Sequence, residues 1–118
     1  MKILIIINDA PYGTEKAYNA MRIANQLGKD YRGEMEVFIF LMADAATCAL
    51  AGQELPNGYY NIERMLKLAV AKGVAIKICG TCAGARGIKN ANFIKGAELG
   101  TMAELAKWVA ESDKVLTF

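Results

Sequence analysis

Histidine is absent from the sequence, and several other features are scarce. Without histidine the chain lacks the commonest general base, the side chain that titrates near neutrality, the Cys–His couple and most catalytic zinc sites. The longest apolar stretch, around residues 35–48, is interrupted by Asp44 and is too short for a membrane-spanning helix. The 14 Lys and Arg against 12 Asp and Glu give a net charge of only +2, evenly spread. We therefore expect neither nucleic acid nor a membrane as a partner.

Cysteine is also scarce: Cys48, Cys79 and Cys82 are the three in the chain. An odd set with one close pair is a poor framework for a secreted disulfide fold and is typical of reactive thiols in a reducing compartment. The residues Met1–Ile3 lead straight into a strand pattern without a cleavage site of small residues. We expect a soluble, cytoplasmic protein with one domain over residues 1–118, and we look for its chemistry at the cysteines.

Apolar runs and helix signals alternate along the chain. Continuous apolar runs are typical of central strands covered on both faces. They predict strands at Ile3–Ile7, Met35–Met42, Val74–Cys79 and, at the end, Lys114–Phe118. Helical spacing and caps predict a first helix that Thr14 caps and that stops between Gly28 and Gly33. They also predict a short helix over Ala43–Ala51, a helix capped by Asn61 and a last helix opened by the capping box Thr101–Glu104.

The segment Thr81–Gly100 has weaker signals, and we predict one short helix and a short strand near Ala97–Leu99. Strands that alternate with helices imply right-handed crossovers and hence a parallel sheet with helices on both faces. The sequence therefore predicts a three-layer α/β/α sandwich of flavodoxin-like size, with a mainly parallel sheet of about five strands.

The topology of such a fold brings distant segments together. In an open parallel sheet, ligands bind beyond the carboxyl ends of the strands. Three segments follow strand ends here: Asn8–Thr14, Ala43–Cys48 and Cys79–Gly87. We therefore expect all three cysteines to lie at one edge of the sheet.

The strongest chemical signal is the C-x-x-C formed by Cys79, Gly80, Thr81 and Cys82. It falls at a predicted strand-to-helix turn, where unpaired backbone N–H groups and the helix dipole favour a thiolate over a thiol. Arg86 adds a positive charge one helical turn beyond Cys82. The competing interpretation is that both cysteines are small apolar residues used for packing.

Zinc explains this pair poorly, because a structural site needs four ligands and the chain has neither a second pair nor a histidine. We therefore expect no metal. The glycines Gly80 and Gly87 miss the dinucleotide-binding spacing, and their simpler role is to allow tight turns beside the cysteines.

Asp9, Tyr12 and Cys48 are weaker candidates at the same predicted edge. Asp9 can accept a hydrogen bond or a proton at the site, or cap its own turn. Tyr12 can line a pocket or a subunit contact. Cys48 can pack inside an alanine-rich helix or act as a resolving thiol if it reaches the C-x-x-C.

Several blocks of the sequence together resemble the DsrE/DsrF family, and most closely its YchN-like branch. The blocks are N-D-A-P-Y-G-T-E at 8–15, L-M-A-D-A at 41–45, C-G-T-C-A-G-A-R-G-I at 79–88 and G-T-M-A-E-L-A-K-W-V at 100–109. The resemblance runs from Ile3 to Phe118 without large insertions.

The resemblance implies a homotrimer or homohexamer and a link to sulfur metabolism, through a cysteine that carries sulfur as a persulfide. In sulfur-relay members the carrier cysteine ends a strand and precedes an R-G pair. By that match Cys79 is the carrier, Arg86 and Gly87 are the pair, and Cys82 is the second cysteine of the YchN-like branch. The helix argument favours Cys82 at least as much, so both remain candidates.

Three functions follow as hypotheses. The first is a sulfurtransferase-type sulfur carrier that needs no dedicated cofactor and exchanges sulfur with a donor and an acceptor protein, neither of which the sequence identifies. The second is a dithiol redox protein that cycles a Cys79–Cys82 disulfide. The third is a non-catalytic oligomeric module that binds a small anion at the Asn8–Thr14 turn.

Overall fold

The computed structural model describes all residues, 1–118, and contains one sheet of five parallel strands. The strands are β1 (Lys2–Ile7), β2 (Glu36–Leu41), β3 (Ala75–Cys79), β4 (Ala97–Gly100) and β5 (Lys114–Thr117), in the spatial order β4-β3-β2-β1-β5. In the centre of the sheet, Ile5 of β1 lies opposite Ile39 of β2. The parallel α/β architecture predicted from the apolar runs is confirmed.

Four α-helices and one 3₁₀ helix connect the strands. They are α1 (Lys16–Asp30), the 3₁₀ helix (Ala43–Ala49), α2 (Ile62–Ala71), α3 (Gly80–Ala85) and α4 (Met102–Glu111). The chain steps from β1 to β4 in one direction across the sheet and then returns from β4 to β5 beyond β1. Right-handed crossovers in opposite directions place helices on opposite faces, so α4 covers the other face from α1 and α2.

The two faces of the sheet are buried to different extents. On the α1 and α2 face, 22 buried residues form the main core. On the α4 face a cluster of only four buried residues is found, namely Leu4, Phe40, Cys79 and Leu105, with Trp108 packed against it. One cysteine of the C-x-x-C therefore belongs to the smaller core.

Local signals placed most helix starts correctly. Asn61 caps α2 by accepting a hydrogen bond from Arg64 N at 3.0 Å. Thr101 and Glu104 form the predicted capping box at the start of α4. The weakly signalled strand near Ala97–Leu99 is also present, as β4.

The first helix differs from the prediction at its start and agrees with it at its end. It begins at Lys16, with Glu15 in place of Thr14 as its N-cap residue. The Thr14 hydroxyl donates a hydrogen bond to Asp9 and accepts one from Lys16 N at 3.4 Å. It ends at Asp30, within the predicted range Gly28–Gly33. A Cβ at Gly28 would lie 3.4 Å from Lys72 Cδ, an ordinary van der Waals contact, so packing does not require a glycine at this position.

Two further details refine the predicted elements. The short helix predicted after β2 is present as a 3₁₀ helix, and it ends at Ala49 instead of Ala51. None of the helices combines the length and the apolar character that crossing a membrane requires.

Candidate functional site

The two cysteines of the C-x-x-C are joined by a disulfide bond at the carboxyl end of the sheet. β3 ends at Cys79 and α3 begins at Gly80, so one helical turn brings Cys82 over Cys79, with 5.2 Å between their Cα atoms. Cys79 is the N-cap residue, and its Sγ accepts a hydrogen bond from the Cys82 backbone N–H at 3.1 Å. The start of a helix leaves such N–H groups without an intrahelical partner, and this one favours negative charge on the Cys79 sulfur.

The two sulfurs lie in different surroundings. Cys79 is 8% exposed and packs among Leu4, Phe40 and Leu105 under α4. Cys82 is partly exposed on α3, between the exposed Thr81 and the buried Ala83. A reagent from solvent therefore meets Cys82 before Cys79.

Ala43 supplies a second backbone donor to the pair. Its N–H donates a hydrogen bond to Cys82 Sγ, with 3.2 Å between nitrogen and sulfur. Ala43 has φ of +50°, the left-handed region that side chains other than glycine rarely adopt, at a cost of about 1–2 kcal/mol. The first residue of the 3₁₀ helix thus holds an unfavourable conformation at the position where its amide contacts the sulfur.

Arg86 bonds to the Asp44 carboxylate and to the Cys82 carbonyl, and not to the sulfurs. Its Nε and Nη2 each lie 2.8 Å from Asp44 Oδ1, and its Nη1 donates to the Cys82 carbonyl at 3.1 Å. The Asp44 carboxylate balances the positive charge that Arg86 is expected to add beside a thiolate. Arg86 fastens α3 to the 3₁₀ helix.

The glycines around the pair have distinct geometric roles. A Cβ at Gly80 would lie 3.3 Å from the Gly100 carbonyl oxygen, so the glycine lets the end of β4 approach the start of α3. Gly87 has φ of +70° and turns the chain directly after Arg86. These observations agree with the prediction that the glycines permit close turns beside the cysteines.

Cys48 lies at the same sheet edge but in a different environment. It is 1% exposed, and its Sγ lies 3.7 Å from the Asp9 carbonyl oxygen. Burial raises the pKa of the Cys48 thiol to about 12. The thiol is free and belongs to the main core, which favours its interpretation as a packing residue.

Asp9 is occupied within its own turn. Its Oδ2 accepts a hydrogen bond from the Thr14 hydroxyl at 2.9 Å and lies 4.0 Å from Lys16 Nζ. This is the turn-capping role, one of the two that the sequence leaves open. A carboxylate at the Asn8–Thr14 turn also opposes binding of an anion there, so the anion-binding hypothesis gains no support.

Tyr12 belongs to a hydrogen-bond network that anchors the loop after the 3₁₀ helix. Its hydroxyl donates to Gln53 Oε1 at 2.6 Å and accepts from Ile62 N at 3.0 Å. Burial raises the pKa of Tyr12 above its ordinary value. The Gln53 side-chain amide in turn donates to the Cys48 and Leu50 carbonyls. Tyr12 therefore supports the loop and does not contact the cysteine pair.

Sequence reasoning missed two contributors to the site, Ala43 and Asp44. The segment Ala43–Cys48 was expected at this edge, but no local signal marks a left-handed alanine or an ion pair between residues 44 and 86. Their only sequence signal is their position directly after β2. No group of three or more Cys, Asp or Glu side chains is arranged to hold a metal ion.

Comparison with known proteins agrees with this geometry. The chain matches the DsrE/DsrF-like family over residues 1–118. It is 44% identical to protein YchN of Escherichia coli K12, over 99% of this chain and 98% of that protein. An uncharacterized protein of Methanocaldococcus jannaschii is 43% identical over the full length of both chains.

A solved structure extends the similarity to three dimensions. The crystal structure of the ychN protein from E. coli superposes with a TM-score of 0.93, over 99% of this chain and 98% of that one. Sequence and structure agree over essentially the whole chain, which therefore belongs to the DsrE/DsrF-like family.

Proposed function

We propose that the chain is a sulfur carrier, in which a thiolate of the Cys79–Cys82 pair accepts sulfane sulfur from a donor persulfide and passes it to an acceptor thiol. The observation that carries this proposal is the cysteine pair itself. Its two neighbouring sulfurs lie at the sheet edge, and each accepts a hydrogen bond from a backbone N–H group. One of the two cysteines, Cys82, is partly exposed. Membership of the DsrE/DsrF-like family supports it, since that family is related to sulfur relay proteins.

The chemistry is that of thiol–disulfide exchange. A protein thiolate attacks the outer sulfur of a donor R–S–SH, the bond between the two donor sulfurs breaks, and R–S⁻ leaves. The protein then holds Cys–S–SH, whose outer sulfur is open to attack by an acceptor thiolate. Backbone N–H groups stabilise the attacking anion, so neither a histidine nor a dedicated cofactor is required.

Intact mass spectrometry of single-cysteine variants tests the proposal. Reduced Cys79→Ser and Cys82→Ser proteins, freed of reductant, are incubated with a low-molecular-weight persulfide. We expect at least one of them to gain the mass of one sulfur atom, whereas the double variant gains none. The proposal is wrong if neither single variant gains sulfur, or if the double variant takes up as much as they do.

Cys48→Ser in each background is the matched control, because Cys48 is buried and its thiol is held in the neutral form. We expect it to leave sulfur uptake unchanged. Uptake that depends on Cys48 would move the carrier position to the main core and contradict the proposal.

The bonded pair also favours a second candidate, a dithiol redox protein. The reduction potential of the pair separates the two, since a pair that stays reduced at the cellular potential cannot serve as an oxidoreductase. Equilibration of the protein with glutathione buffers measures that potential.

The homotrimer or homohexamer implied by the resemblance remains part of the proposal. Exposed apolar side chains on α4 and β5, among them Met102, Val109 and Val115, offer surface for such an assembly. Size-exclusion chromatography with light scattering measures the oligomeric state, and a monomer at micromolar concentration would contradict it.

A further inference from the structure

We infer that Cys82 is the sulfur that receives the persulfide, and that Cys79 then discharges it as hydrosulfide when no acceptor takes it. This inference rests on the proposed function and adds a second outcome for the carried sulfur. The chain would then both transfer sulfane sulfur and reduce it to sulfide. The Cys79–Cys82 disulfide is the protein product that such a discharge leaves behind.

The discharge balances without an external oxidant or reductant. The Cys79 thiolate attacks the inner sulfur of Cys82–S–SH, and the bond between the inner and outer sulfurs breaks. The outer sulfur leaves as HS⁻ with its proton and the electron pair of the broken bond. The two cysteine sulfurs are oxidised to a disulfide while the sulfane sulfur is reduced, and a dithiol reductant later restores the thiols.

The difference in exposure assigns the first step to Cys82. Cys79 is enclosed by Leu4, Phe40 and Leu105, whereas Cys82 is partly exposed on α3. The Ala43 N–H already contacts Cys82 Sγ and stabilises a thiolate there. A donor persulfide therefore reaches Cys82 without movement of α4.

Proximity assigns the second step to Cys79. Both Cα atoms are held 5.2 Å apart by one turn of α3, and the sulfurs form their bond with the backbone as it stands. Well-oriented intramolecular reactions reach effective concentrations of about 10⁵ M or more. The hydrogen bond from the Cys82 N–H to Cys79 Sγ also stabilises the Cys79 thiolate, which is the attacking group.

This geometry sets a condition on transfer to an acceptor. A free thiol at millimolar concentration cannot compete with a neighbour of such high effective concentration. Transfer therefore requires an acceptor that docks on α3 and holds the Cys82 persulfide away from Cys79. Free low-molecular-weight thiols should leave the persulfide to be discharged as sulfide.

A single-turnover experiment tests the inference. Reduced wild-type protein, freed of reductant, is mixed with one equivalent of a low-molecular-weight persulfide, and sulfide release and intact mass are followed. We expect one sulfide per chain and a final mass two hydrogens below that of the reduced protein. Cys79→Ser should instead keep the added sulfur on Cys82 and release no sulfide above the donor blank.

Further variants keep the two proposals separate. Cys79→Ala, which suits the apolar surroundings, should behave as Cys79→Ser does, and Cys82→Ser should load at least tenfold more slowly than either. Equal loading rates in Cys82→Ser and Cys79→Ser would overturn the assignment of Cys82. Loading of the variants with no sulfide from wild type would overturn the discharge but leave the carrier function standing.

Discussion

Glu63 carries the sharpest stability prediction, because this buried carboxylate holds the loop that follows the 3₁₀ helix. It is 7% exposed, and its Oε1 accepts hydrogen bonds from Gly52 N at 3.0 Å and Gln53 N at 2.8 Å. Its Oε2 lies 2.9 Å from Lys67 Nζ. These groups, Lys67 first and the Gln53 amide second, lower the pKa of Glu63 below its ordinary value.

Glu63→Ala should lower the free energy of unfolding by about 2–4 kcal/mol. A hydrogen bond to a charged group contributes about 1.5–3 kcal/mol, and the exposed Gly52 amide can regain part of its loss from water. Lys67→Ala is the matched control, because the Lys67 side chain is 57% exposed and such an ion pair contributes about 1 kcal/mol or less. Urea unfolding followed by Trp108 fluorescence measures both, with the urea dependence of each variant checked against wild type.

The pH dependence has a definite sign. A carboxylate whose pKa is lowered by folding adds stability above its unfolded pKa of about 4.3, and that stability is lost as pH falls through the folded pKa. The advantage of wild type over Glu63→Gln should therefore shrink between pH 7 and about pH 3. The reasoning would be refuted if Glu63→Ala and Lys67→Ala lost equal free energy of unfolding. It would also be refuted if the stability difference between wild type and Glu63→Gln did not change with pH.

Three other predictions follow from the same contacts. Tyr12→Phe removes two hydrogen bonds of the hydroxyl but keeps the ring, so we expect a loss of about 1–3 kcal/mol in urea unfolding and unchanged sulfur uptake; a neutral effect would contradict the network. Reduction of the Cys79–Cys82 bond opens a loop with a sequence separation of only 3, so dithiothreitol should lower the unfolding free energy by about 2 kcal/mol at most. A larger loss would contradict this and show that the bond stabilises the fold. Asp44→Asn leaves the Arg86 charge unbalanced beside Cys82, so iodoacetamide alkylation of reduced Cys82 should become up to about fivefold faster at neutral pH, and slower alkylation would contradict this.

The parts of the fold that could be predicted from sequence are those fixed by short-range physics. Apolar runs gave the strands because a strand covered on both faces needs apolar side chains at every position. Asn61 and the Thr101–Glu104 box gave helix starts because capping bonds span three residues. The end of α1 could be predicted only as a range, Gly28–Gly33, because a glycine lowers helix propensity without fixing the last helical residue, which is Asp30.

In the candidate site, too, local features could be predicted from the sequence, whereas contacts between elements could not. The topology rule brought the cysteine segments to one edge, and the C-x-x-C spacing placed the pair on one turn. The partner of Arg86 could not be predicted, because Asp44 is 42 residues away and only the packing of α3 on the 3₁₀ helix joins them. The conformation of Ala43 is likewise set by its surroundings, since alanine has no local preference for positive φ.

The different surroundings of the two sulfurs follow from the pleat of β3. Side chains alternate along a strand, so Ile76 and Ile78 enter the main core while Lys77 and Cys79 point to the α4 face. Cys79 is the last residue before the chain turns into α3, and that turn carries Cys82 out of the sheet to meet the Ala43 amide. The change from strand to helix geometry thus places Cys79 in the small core under α4 and the partly exposed Cys82 on α3, beside the Ala43 amide. Because this change needs only a strand end and one helical turn, the difference in burial between the two cysteines is a property of the fold.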